Sequence, residues 1–455
     1  MNQSQPPGPK GHFLLGSMPR LQKDRLGLMV DNFKTFGDFV YMRGPRRIYQ
    51  LNHPDFIQYV LVKGADKFHK SPMLKKVTEP VLGQGLLTSD GEFHRQQRKL
   101  AQPAFHHNRI SNYADVMVDY TARMLDGWQT DEPRDVHHEM MHLTMQIVAK
   151  TLFDADVSED ADSIGHAISF AVADASENMV RVLRLPEWVP TPLNRKRRQT
   201  RAAMERTIMA TIEERRQSSE DKGDLLSMLL LAQDEENGAR MSDRQVHDEA
   251  MTLFLAGHET TANALTWTLY LLSQHPDVEA KLLEEIDRVL GRRLPAMADL
   301  RELSYTDRVI KEAMRLYPPA WVVARYVIDE VNIGGYDIPA GSIIMISQYV
   351  MHRHPDYWDE PDAFKPERFT EGWEDRVPRY AYFPFGGGPR VCIGNSFAAM
   401  EANLVLATIM QRCTLDLVPG QTVEMEPLIT LRPKGAMRMT VTERAAESTK
   451  QHATI

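Results

Sequence analysis

The run Phe385-Gly386-Gly387-Gly388-Pro389-Arg390-Val391-Cys392-Ile393-Gly394 sets a cysteine and an arginine in a glycine-rich loop, directly before a helix predicted over residues 395–412. Glycine permits backbone angles and close approaches that other residues resist, so such a loop can lay its main chain against a large flat ligand. A cysteine near a helix N-terminus feels the positive end of the helix dipole, which favours the thiolate, the form that binds metals. Arg390, two residues earlier, can reach a nearby anion. Together these features point to Cys392 as an axial thiolate ligand to haem iron. A cysteine without these neighbours would read as an ordinary buried turn residue. The spaced phenylalanine, glycines and arginine favour the ligand.

Further chemistry lies in Ala256-Gly257-His258-Glu259-Thr260-Thr261, in the middle of a long predicted helix. Ser242 with Gln245 three residues on forms a capping-box start, and Pro276 sets the end near Gln274. Two small residues leave space for a ligand to approach the backbone, and an acid followed by a hydroxyl can relay protons. Threonine hydroxyls in helices often bond the carbonyl four residues back. Glu312 and Arg315, three apart, share a helix face. So do His94 and Arg98, four apart on a helix starting near Gly91, and both can donate to a carboxylate.

The pattern F-x-x-G-x-R-x-C-x-G, carried here by Phe385, Gly388, Arg390, Cys392 and Gly394, resembles the haem-binding loop of the cytochrome P-450 superfamily of haem-thiolate monooxygenases. Three further matches, between residues 94 and 369, extend the resemblance over most of the chain. It implies a mainly α fold with small β-sheets (α+β) and a long central helix over a haem b. Glu259 and Thr260 would then be the acid-alcohol pair that protonates dioxygen. Glu312, Arg315 and Arg368 (in Pro366-Glu367-Arg368-Phe369) would form a buried charged triad supporting the loop. His94, Arg98, Arg325 and Arg390 become propionate ligands, with His94 standing where many relatives have tryptophan. The implied apolar pocket comprises Leu86, Leu87, Phe254, Leu255, Ala256, Trp321, Val322, Val323 and Leu431.

The implied reaction inserts one atom of O2 into an apolar organic substrate, by hydroxylation or epoxidation. Electrons would come from NAD(P)H through a separate ferredoxin or flavodoxin and its reductase. A peroxide-driven peroxygenase of the same fold and a non-catalytic haem gas sensor are the alternatives, and the Glu259–Thr260 relay counts against both. Arg95 and Lys99 are rotated by about 100° from His94 and Arg98. They are expected on the proximal surface, where positive charge would steer an acidic redox partner.

A chain of 455 residues has a soft prior of about two or three domains. The resemblance implies instead a single haem-binding domain over 1–455, with residues 1–10 and 442–455 as flexible ends and no fused reductase. A hydrophobic content of 42% supports a sizeable core. The net charge of −8 lacks the basic footprint of a nucleic-acid-binding protein. Two cysteines make no disulfide framework, and a helix over 395–412 would hold Cys413 roughly 30 Å from Cys392, beyond bridging reach. That usage fits a reducing compartment. Neither a signal peptide nor an apolar run of about 18 residues is visible, so a cytoplasmic protein without a transmembrane anchor is expected.

Strand-forming residues flank Gly44-Pro45 over 38–52, and a second strand-turn-strand signal covers 331–338 and continues into 343–346. Most of 90–316 carries helical periodicity. His106-His107 and His352-Arg353-His354 lack zinc-ligand spacing. Residues 195–198 are expected as a solvated helix start. By position the resemblance puts residues 185–190 in the family's lid region, where contact with substrate and ordinary packing are the two readings.

Overall fold

The longest helix, Asp243–Gln274, opens with a reciprocal exchange. The Ser242 side chain accepts from the Gln245 backbone N–H, and the Gln245 side chain accepts from that of Ser242. The next helix, Pro276–Leu290, starts on its proline, where the missing N–H leaves no helical bond unmade. The structure is a computed structural model that describes residues 5–154, 170–171, 173–178, 188–218, 222–234 and 238–444.

Side chains from Thr261 to Leu269 of the long helix are all buried, so this half crosses the interior. It packs along Val136–Phe153 and against Ser304–Leu316 and Asn395–Arg412. One buried apolar cluster joins them, and it includes Leu143, Ile147, Leu265, Trp267, Ile310 and Leu404. A polar link adds direction to this packing: Thr144 Oγ1 donates to the His258 carbonyl at 2.9 Å.

The largest sheet has five strands in the order Phe39–Met42, Ile48–Leu51, Ile343–Ile346, Val323–Val327 and Phe68–Lys70. Its first pair is the hairpin expected around Gly44-Pro45. Ile48–Leu51 also runs parallel to Ile343–Ile346. The short hairpin Val331–Ile333 with Tyr336–Ile338 forms as expected. The strand Pro133–Asp135 departs from the helical expectation over 90–316, because Arg438–Glu443 pairs with it. Near the C-terminus, Met425–Pro427 turns back onto Leu431–Pro433.

The architecture is therefore mainly helical with small sheets. Cys392 and Cys413 are both free. Among the described residues no helix is long and apolar enough to cross a membrane, and no group of three His, Cys, Asp or Glu could hold a metal ion. His352 instead accepts the Phe383 backbone N–H at 3.0 Å, and His354 lies 3.2 Å from Asp38. The stretch 195–198 is not wholly solvated as expected, because Arg197 is largely buried and paired with Asp174. Residues 185–187 of the expected lid lie outside the described residues, and neighbouring Trp188 is strongly exposed.

Candidate functional site

The cysteine loop is closed by its own backbone. The Cys392 N–H donates to the Phe385 carbonyl at 3.0 Å, after a tight turn at Gly388–Arg390. Gly388 has φ +65°, and a Cβ there would lie 1.8 Å from the Leu61 carbonyl oxygen, so a side chain cannot be admitted. The helix Asn395–Arg412 follows with Gly394 at its N-cap.

Cys392 thus stands two residues before the cap, exposed on one side and crowded by protein on the others. Burial raises its thiol pKa, and the Gly394 N–H and Arg98 offset only part of that. In the protein alone, burial therefore acts against the thiolate that the helix terminus is expected to favour. A coordinated metal cation would reverse the balance, since metal-bound thiols are deprotonated outright.

Beside this loop the charges do not balance. Arg390 donates to the Ser89 carbonyl and pairs with Asp90. Arg98 donates to the Val391 carbonyl at 2.8 Å. Lys70, Arg98, Arg325 and Arg390 all have lowered pKa values, with burial first and neighbouring cations among the causes for three of them. Arg325 falls to about 10, and burial with Arg390, Lys70 and Arg98 holds His94 neutral at about 3. Asp90 faces most of this charge, helped by Glu249 near Lys70. A neutral His94 still offers an N–H donor. Cations in excess of acids at partly buried positions fit an anionic ligand, and two haem propionates have the required charge.

Lys70 and Asp90 had escaped the sequence reading. Asp90 stands at the N-cap of Gly91–Ala101, which is a recognisable position. Its carboxylate makes no cap bond but takes the Lys70 backbone N–H at 3.1 Å.

Glu312 and Arg315 are completely buried and joined by two bonds of 2.6 and 2.9 Å. Arg368 reaches the same carboxylate at 3.2 Å. Arg315 also donates to the carbonyls of His352, Pro361 and Ala363. The network ties the Ser304–Leu316 helix to the stretch that leads towards the cysteine loop, with every Arg315 donor satisfied.

On the long helix, Ala256 is exposed and Thr260 partly so, amid buried neighbours. This face is therefore the open one. Thr260 Oγ1 donates to the Ala256 carbonyl at 2.8 Å. Glu259 is buried and turns elsewhere, accepting the Thr430 hydroxyl at 2.5 Å. Burial raises its pKa, against Thr430 and Arg432. Acid and alcohol are adjacent in sequence but bond in different directions.

Gly257 does not add to the open space. A Cβ there would meet Val148 at 3.2 Å, so the glycine serves close helix packing. Phe254 is likewise corrected: two residues from Ala256, it points about 160° away and packs on Phe153. Trp321 and Leu431 are buried together with Leu26 and Met29. Leu86 is nearly buried, whereas Leu87, Leu255, Val322 and Val323 keep some exposure.

The two expected steering charges each have an acid beside them. Arg95 pairs with Glu92, and Lys99 lies 3.2 Å from the buried Asp234, so both charges are locally offset.

A family model for cytochrome P-450 matches residues 6–438. Cyclooctatin synthase of Streptomyces melanosporofaciens is 40% identical over 432 residues, covering 94% of this chain and 92% of its own. Cyclooctat-9-en-7-ol 5-monooxygenase of the same organism is 38% identical over 412 residues, covering 90% and 89%. Pentalenene oxygenase of Streptomyces avermitilis is 34% identical over 422 residues, covering 91% and 92%. Among solved structures, the crystal structure of a cytochrome P-450 haem domain superposes with a TM-score of 0.88 at 27% identity, covering 97% of this chain and 98% of that one.

Proposed function

The chain belongs to the cytochrome P-450 family and is a monooxygenase, and from that premise we propose that it hydroxylates or epoxidises a terpene or terpene alcohol. Cys392 and the excess of cations beside it carry the reading of the site. The thiol presents its open side next to Arg98, and the cluster at Asp90 has charge to spare for two carboxylates. Haem b fits that donor set.

When bound, the haem supplies dioxygen activation and oxygen insertion. The protein's own groups do the rest. Cys392 holds the iron, while Arg98, Arg325, Arg390, Lys70 and neutral His94 hold the propionates. The Glu312–Arg315–Arg368 network fixes the approach to the cysteine loop. On the open helix face Ala256 leaves room, and Thr260 presents a hydroxyl whose proton it can hold at Oγ1. Glu259, with its raised pKa, is the buried acid of the pair; its carboxyl is held by Thr430, so it keeps a proton in reserve near Thr260 without a direct bond to that hydroxyl. Separate redox proteins, ferredoxin or flavodoxin in kind, supply electrons.

The terpene class rests on the names of the relatives, two of which specify a terpenoid alcohol and a terpene hydrocarbon as substrates. The test is turnover of cyclooctat-9-en-7-ol and of pentalenene by the haem-loaded protein with NADPH, a surrogate ferredoxin and its reductase, under labelled dioxygen. A product carrying one labelled oxygen atom is expected. Failure to oxidise either compound, or any other terpenoid of a size-graded panel, would overturn the substrate class. Equal rates with hydrogen peroxide alone would overturn the reductase-dependent route.

A further inference from the structure

The Glu259 carboxyl is held by a chain of three side chains, of which Thr430 and His137 come from outside the long helix and Asn263 from within it. Thr430 Oγ1 donates to Glu259 Oε1 at 2.5 Å, Asn263 Nδ2 donates to Thr430 Oγ1 at 3.3 Å, and His137 Nε2 lies 3.2 Å from Asn263 Oδ1. Glu259, Asn263 and Thr430 are buried, and His137 is partly buried. Glu259 and Asn263 are four residues apart, on one helix face. Thr430 comes from the turn between Met425–Pro427 and Leu431–Pro433.

This turn is itself anchored on both sides of Thr430. Trp321 Nε1 donates to the Leu428 carbonyl at 2.9 Å, and Trp267 Nε1 donates to the Leu431 carbonyl at 3.1 Å. The Leu431 N–H donates to Pro319 at 2.9 Å. Thr430 therefore meets Glu259 from a fixed support.

We propose that Thr430, oriented by Asn263 and His137, is a positioning residue that aims the Glu259 carboxyl and sets its proton affinity during oxygen activation. The proposal rests on the reading of Glu259 as the acid of the oxygen-activating pair. Every donor in the chain points towards Glu259, which requires His137 to carry its proton on Nε2. Burial keeps that imidazole neutral, with its pKa lowered to about 4. The amide of Asn263 has no proton to release and no basic nitrogen. The chain accordingly fixes a direction and does not conduct protons in from the surface.

A hydroxyl that donates to a carboxylate favours the charged form, so removing it must raise the pKa of the acid. The other charges that bear on this network are Arg432, which is paired with Glu426 at 2.8 Å, and Asp135 and His138 beside His137. None is altered by substitution at position 430.

The haem-loaded Thr430→Val and Thr430→Ser proteins test the assignment by two readouts. Infrared spectroscopy follows the carbonyl band of protonated Glu259, identified by its absence in Glu259→Gln. In Thr430→Val its midpoint should rise by about one pH unit, a tenfold change in proton affinity. Thr430→Ser, which keeps the hydroxyl, should titrate like the wild type. Product formed per NADPH should fall in Thr430→Val, recover in Thr430→Ser, and show a pH dependence shifted upward in step with the infrared midpoint. A wild-type infrared midpoint in Thr430→Val would overturn the proposal even if the variant were less stable. Should Glu259→Gln make as much product per NADPH as the wild type, the acid role falls and this proposal with it. If Glu259→Gln uncouples turnover and Thr430→Val leaves the pH dependence unmoved, only the role of Thr430 falls.

Discussion

Replacing Glu401 by glutamine should remove the pH dependence of stability that arises at that site. Glu401 lies in the Asn395–Arg412 helix with no exposed surface, and neither carboxyl oxygen accepts a hydrogen bond. The Thr261 hydroxyl beside it lowers the pKa slightly, but that hydroxyl donates to the Gly257 carbonyl at 3.2 Å. We give more weight to burial, which pushes the pKa from 4.5 up to about 8. Between those values the folded protein keeps a proton that the unfolded chain has released. Stability therefore falls as pH rises through this window and levels off above pH 8, at up to about 1.4 kcal/mol per pH unit.

Rounding at both ends of the window leaves a change of about 3.5 kcal/mol from pH 5 to pH 8 as the ceiling. Glutamine resembles the protonated acid and does not titrate. The stability of Glu401→Gln relative to wild type should thus rise by about 2–3.5 kcal/mol over this range, allowing for relaxation around the charge. Urea unfolding of the haem-loaded proteins at pH 5, 6, 7 and 8 gives both curves. Glu249, with a pKa of about 7, and the neutral His94, His137, His258 and His352 contribute to both proteins and cancel in the difference. Parallel curves would refute the reasoning, since they would mean that Glu401 titrates alike in folded and unfolded chains.

Cys392→Ser should lose the absorption band typical of thiolate ligation in the reduced carbon-monoxide complex. Cys413→Ser should keep it, because that buried thiol, at a pKa of about 12, only donates to the Ile409 carbonyl; a retained band in Cys392→Ser would remove the ligand assignment. Thr260→Ala should preserve substrate-induced shifts of the haem absorption band yet lower product per NADPH several-fold, with peroxide or water formed instead, and unchanged product per NADPH would exclude the hydroxyl from proton handling. Glu312→Gln should destabilise the fold by about 3–5 kcal/mol, because it leaves the Arg315 guanidinium buried without its charge partner. A loss under about 1 kcal/mol by urea titration would show that its carbonyl partners suffice.

Much of this protein is written locally. Ser242, Gln245 and Pro276 mark the bounds of the long helix through bonds that form within a few residues, and the helix over 395–412 starts after glycine and ends where the strand Cys413–Leu417 begins. The cysteine loop is closed locally by the positive φ of Gly388 and the Cys392–Phe385 bond, although the Leu61 carbonyl that bars a side chain at 388 comes from far away in the chain. Helical spacing alone could also have turned Phe254 away from Ala256. What local pattern could not give was the partner of each group. Ile48–Leu51 lies parallel to a strand nearly three hundred residues on, Asp90 meets Arg390, and Gly257 faces Val148. Glu259, adjacent to Thr260 in sequence, turns to Thr430 in a C-terminal turn instead. Caps, turns and periodicity are decided by neighbours within a turn or two. Charge balance and the direction of a buried carboxyl depend on which distant side chains the fold brings within about 3 Å, where a hydrogen bond can form.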